Sequence, residues 1–142
     1  MEDDGAEVLE HKDRLLRIAF LAGAIMDAGA LLPMLSPRVA RLLWGIHDTP
    51  ASYRLAMSCG ASLMLGWTCL LIWADRRPLE RRGVLILTAF PVVAGLFISG
   101  VYAVVAHLIE FRHLLPMFVI QILVGTLFLV AYIRSSGASG EP

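Results

Sequence analysis

Charge is scarce along most of this sequence, and what there is has no prevailing sign. Lys and Arg number 12 against 12 Asp and Glu, so no net field draws nucleic acid, and no basic face interleaved with aromatics stands outside the apolar segments. Nucleic-acid binding is therefore set aside as a function. Cysteine is nearly absent as well. Cys59 and Cys69 stand ten residues apart in one apolar segment, a spacing that suits neither a redox pair nor the paired ligands of a zinc site. Both read as small packing residues.

Catalytic signatures are also lacking. The chain has no Gly-rich phosphate loop, no G-x-S-x-G and no H-E-x-x-H, and no nucleophile stands beside a base and an orienting group. Two histidines at membrane depth on facing segments, as haem ligation would need, are not found; His11 falls in the N-terminal tail. No cofactor is implied. The start, "MEDDGAEVLE", is acidic where a signal peptide is basic, and the apolar stretch after it is long enough to span a bilayer, so it reads as a retained anchor.

What the sequence has in abundance is apolar length. It is 58% hydrophobic with a mean hydropathy of +0.72, well above a soluble domain. Residues 15–35, 51–74, 83–108 and 114–133 are each near the ~20 residues that a helix needs to cross hydrocarbon. The expected fold is an all-α integral membrane protein, residues 1–142 forming one domain. Its four transmembrane helices form a compact bundle, with an acidic N-terminal tail at 1–13 and a flexible C-terminal tail at 135–142. Ser36-Pro37 and Thr49-Pro50 each set a capping hydroxyl before a proline suited to the first helical position. They predict a short interfacial helix over 37–46 between spans one and two, and a second span opening at Pro50.

The basic residues set the orientation. Lys12, Arg14, Arg17, Arg76, Arg77, Arg81, Arg82 and Arg134 fall on one side, and Arg38, Arg41, Arg54 and Arg112 on the other. Both termini are thus expected in the cytoplasm of a multi-pass protein of a bacterial or archaeal plasma membrane. The "DRRPLERR" loop is expected to set topology and to meet anionic headgroups.

Asp27 interrupts this apolar pattern, and an ionisable residue within a span is costly and a candidate functional site. At about 100° per residue, Ile18, Leu21, Ile25 and Leu32 lie opposite it, while Gly23, Ala24, Ala30 and Leu31 share its side, so Asp27 is expected to face the bundle. Matching inward stripes are expected at Ser58, Ser62 and Gly66, at Thr88, Pro91, Gly95, Ser99 and Tyr102, and at Met117, Gln121, Gly125 and Phe128. Counted at ~1.5 Å per residue, Asp27, Ser58, Ser62, Ser99, Tyr102 and Gln121 fall in one layer roughly 10–17 Å below the outer surface. Pro91 is expected to free a backbone carbonyl and kink the third span.

Three functions compete. The first is a binding or transport protein for a small cation, a proton or an amphipathic or lipidic ligand, with Asp27 as the charged contact and Tyr102, Gln121, Ser62, Ser58 and Ser99 around it. The second is a structural or accessory subunit in which Asp27 fastens helices by a hydrogen bond. The third is a lipid-modifying enzyme with Asp27 transferring a proton. Membrane lipids, a second copy of the chain or a partner membrane protein are the expected partners. A further candidate lies at the outer edge in "HLIEFRH", where His107, Glu110 and His113 offer metal-ligand chemistry without matching a known zinc spacing. The span count together with "MDAGALLP" resembles the EXPERA-domain proteins, sterol isomerases among them. The acidic ligands that this family carries in its second span have no counterpart between residues 51 and 74, so no activity is carried across.

Overall fold

The computed structural model describes residues 3–136, and the side chains of residues 10–136. Its elements are α1 (Asp3–Leu35), α2 (Pro37–Trp44), α3 (Ala51–Asp75), α4 (Gly83–Leu87), a π-helical segment (Thr88–Ala94), α5 (Gly95–Val105) and α6 (Phe111–Ser136). Glu10–Leu35, Ala51–Asp75, Gly83–Val105 and Phe111–Ser136 are each long and apolar enough to cross a membrane, the third composed of α4, the π-helical segment and α5. The protein is a four-helix membrane bundle.

Both ends of the expected boundaries shift. The described part of the acidic N-terminal segment is the beginning of α1 rather than a separate tail. Ion pairs one turn apart, Arg14 to Glu10 at 3.5 Å and Arg17 to Asp13 at 2.7 Å, carry the helix beyond the apolar stretch. At the other end α6 continues to Ser136; residues 137–142 lie outside the described residues. Arg82 in the second loop donates to the Ser135 carbonyl at 2.8 Å, giving a cation to a helix C-terminus. In the same loop Arg81 stacks on Trp73 at 3.4 Å from the ring centroid, and Arg77 pairs with Glu80. The "DRRPLERR" arginines are thus partly engaged with the protein itself.

The cap signals are met in modified form. α2 begins at Pro37, but the Ser36 side chain makes no capping hydrogen bond. The second span begins at Ala51 with Pro50 as its extended N-cap residue, one position later than the Thr49 cap predicts. α2 ends two residues short of the expected 46 because Gly45 adopts φ +67°, a left-handed stop, and its amide bonds back to the Arg41 carbonyl.

α1 is the central helix. It packs along α3, beside α6 and, at the end opposite the chain termini (outer in the expected orientation), against α2, while α6 packs against all three parts of the third span. Glycines permit the closest approaches: a Cβ at Gly23 would meet Phe128 at 2.7 Å and Leu71 at 3.1 Å, and one at Gly100 would meet Phe118 at 2.8 Å. The buried cluster of Leu16, Phe20, Leu71, Leu85, Phe128 and Ala131 occupies the end that holds the chain termini. Across the bundle, spans two and three are joined by a hydrogen bond from Trp67 Nε1 to Thr88 Oγ1 at 3.2 Å.

Two faces differ from their helical wheels. In α3 the inward residues are Ala61, Thr68, Leu71 and Ala74, whereas Ser58, Ser62 and Gly66 face outward. The bulkier stripe wins because it fills the space beside α1, where Met34 reaches Gly60. In the third span Pro91 lies inside the π-helical segment. Proline lacks the amide and crowds the preceding turn, and a π turn holds more residues than an α turn, so the wheel beyond it is rotated. Val93 is buried, and Phe97 packs against Phe118 with tilted rings, centroids 5.0 Å apart. Ser99 and Tyr102, expected inside, are exposed, as is Pro91 itself.

Candidate functional site

Asp27 is 1% exposed and Gln121 is 4% exposed. α1 and α6 run antiparallel with Gly23 against Phe128, which sets Asp27 and Gln121 within about one turn of each other along the bundle axis. Asp27 stands about 12 Å from Leu35, the outer end of its helix, near the middle of the span. The inward wheel of α1 is as expected: Gly23 and Ala24 are buried on the aspartate's side, and Ile18, Leu21, Ile25 and Leu32 are exposed on the other.

The hydrogen-bond state of this layer is unusual. Asp27 Oδ2 and Gln121 Oε1 are both buried without a partner among the described residues, and no ion pair there includes Asp27. The indole and hydroxyl donors at this level are already used. Gly23 against Leu71 and Met34 against Gly60 bring Trp67 level with Asp27, but the Trp67 indole serves Thr88. The Thr68 hydroxyl donates to the Met64 carbonyl at 2.9 Å, and the Thr88 hydroxyl to the Val84 carbonyl at 2.8 Å. An unsatisfied buried acceptor costs about 1–3 kcal/mol, and more if charged. The layer therefore has unfilled acceptor capacity on two packed helices among the described residues, with the Gln121 amide N–H groups as its own donors.

Of the six residues expected in one layer, two, Asp27 and Gln121, are buried inside the bundle. Ser58, Ser62, Ser99 and Tyr102 are exposed on the outside of the bundle, Tyr102 at 67%. In the helix register they also lie farther out, by roughly 7–13 Å. The Ser58 hydroxyl is used within its own helix, donating to the Arg54 carbonyl at 2.8 Å.

The outer-edge metal set is not assembled either. Among the described residues no three His, Cys, Asp or Glu side chains are grouped to hold a metal. Glu110 is bound to Arg112 at 2.6 Å, and the His113 ring lies under Gly45, 3.1–3.2 Å from where a Cβ would be. These residues instead line an open cleft of about 740 Å³ together with Arg38, Arg41, Trp44 and His47. Sequence reasoning counted Arg38, Arg41 and Arg112 for topology only. The spacing of Arg38 and Arg41 on one face of α2 was the available signal. Trp67 was also missed as a group level with Asp27.

No family model matches this sequence, no curated protein matches it, and no solved structure matches its fold. The resemblance of "MDAGALLP" to the EXPERA-domain proteins gains no support from these comparisons.

Proposed function

We propose that this small membrane protein binds a proton-bearing cation, a protonated amine or the ammonium head of an amphiphile, between Asp27 and Gln121. The observation that carries this reading is the pair of buried, partnerless acceptors, Asp27 Oδ2 and Gln121 Oε1, on adjacent helices. Their chemistry selects the guest. Two acceptor oxygens without partners are suited to N–H or O–H groups, and a carboxylate in an apolar layer favours a positive charge beside it. Hard divalent cations fit poorly, since Ca²⁺ takes six to eight oxygens and Mg²⁺ an octahedral shell.

The fastener reading requires a partner for Asp27 on another helix, and none is present among the described residues. An enzyme requires further reacting groups beside Asp27; the neighbouring hydroxyls of Thr68 and Thr88 are bound to backbone carbonyls.

Thermal unfolding in lipid nanodiscs tests the proposal. A long-chain primary ammonium at a hundredfold excess over its Kd should stabilise the wild type by about 2.7 kcal/mol. A quaternary ammonium of the same chain length, which has no N–H to donate, should stabilise less, and Asp27→Asn should respond to neither. Equal stabilisation of wild type and Asp27→Asn overturns the reading.

A further inference from the structure

The cleft at the outer end carries chemistry opposite to that of the buried layer. Three guanidinium-bearing residues, Arg38, Arg41 and Arg112, line it against a single carboxylate, Glu110, which is already paired with Arg112 at 2.6 Å. Arg38 and Arg41 form no ion pair among the described residues and are exposed. They stand three apart on α2, so both reach the same side of the helix. His47 and His107 add ring N–H groups to the opposite walls. The cleft thus has donors in excess and two positive charges left after the Glu110 carboxylate is counted.

Its walls are amphipathic. Leu42 follows Arg41 directly and is 79% exposed, and Leu108 across the cleft is 68% exposed. Trp44 also lines it, a residue favoured at the edge of the hydrocarbon. α2 connects the outer ends of two spans, so this mixture of guanidinium and leucine lies at the membrane boundary. The shape is held from below: Gly45, left-handed at φ +67°, rests on the His113 ring and so ties the end of α2 to the first turn of α6. A volume of about 740 Å³ suits a headgroup.

We propose that this cleft is a binding site for the phosphate of an anionic lipid headgroup, with Arg38 and Arg41 as the guanidinium clamp and Leu42 and Leu108 against the first part of the acyl chains. Guanidinium forks match phosphate oxygens in pairs of hydrogen bonds. The exposed leucines distinguish this guest from free phosphate, for which an apolar wall has no use.

Calorimetric titration of the detergent-solubilised protein with short-chain phosphatidylglycerol, with phosphatidylcholine of the same chain length and with inorganic phosphate tests the assignment. Phosphatidylglycerol should bind at least about tenfold more tightly than either of the others. Arg38→Gln/Arg41→Gln should weaken it about tenfold or more, each single variant carrying part of the loss, while Arg54→Gln, outside the cleft, should stay within about twofold. The single variants keep the test informative if the double variant fails to fold. Unchanged affinity in both Arg38→Gln and Arg41→Gln overturns the proposal. Equal binding of phosphatidylcholine overturns the anionic selectivity, and equal binding of inorganic phosphate overturns the lipid assignment.

Discussion

The layer at Asp27 and the cleft at Arg38 are both polar places in an apolar protein, and their deficits are of opposite kind. Among the described residues, two buried acceptors in the middle of the bundle have no hydrogen-bond partner, and two exposed guanidiniums at the outer end form no ion pair. The difference follows from depth. An arginine at the boundary keeps its charge in water while its stem covers apolar surface, so its unpaired state costs little. Asp27 has no such exit, being 1% exposed, and an unpaired group there must be offset by packing elsewhere or by a guest.

The largest effect expected of a substitution separates packing from polarity. Phe128, wholly buried against Gly23, supports the layer from the side of the chain termini. Phe128→Ala should cost about 3–5 kcal/mol of stability in a reversible denaturation assay. A cost below about 1 kcal/mol would mean that the layer does not rest on that contact.

Next comes the polar group itself. Because Asp27 has no partner among the described residues to lose, Asp27→Leu should raise stability, by about 1–3 kcal/mol in the absence of added ligand, while removing the response to ammonium guests. Marked destabilisation by leucine would restore the fastener reading and erase the contrast with the cleft. Trp67→Phe removes the hydrogen bond to Thr88 and should cost about 0.5–1.5 kcal/mol, loosening the seam between spans two and three. Ser62→Ala marks the lower end. With Ser62 facing outward, unfolding should shift by no more than about 0.5 kcal/mol.

Much of this arrangement was legible in the sequence, and the failures have particular causes. Span number followed from apolar length, and the wheel of α1 held because that helix is regular from Asp3 to Leu35. The wheel of α6 held as well, with Gln121 and Phe128 buried and Val119, Leu123 and Val130 exposed. The third span departed because Pro91 was read as a kink, whereas the backbone widens into π turns and carries Ser99 and Tyr102 to the outside. In α3 small residues were read as the contact face. Small residues permit close approach but do not compel it, and the Leu71 and Ala61 stripe buried more volume. The cleft escaped notice because it joins α2 to the start of α6, residues distant in sequence.

The most direct test of the central claim is the infrared difference spectrum of the reconstituted protein on adding a long-chain primary ammonium. Binding between Asp27 and Gln121 predicts a change in the aspartate carboxyl bands and in the glutamine amide band, the first missing in Asp27→Asn and the second in Gln121→Leu. A spectrum with no carboxyl change on saturation, or one identical in wild type and Asp27→Asn, would contradict it.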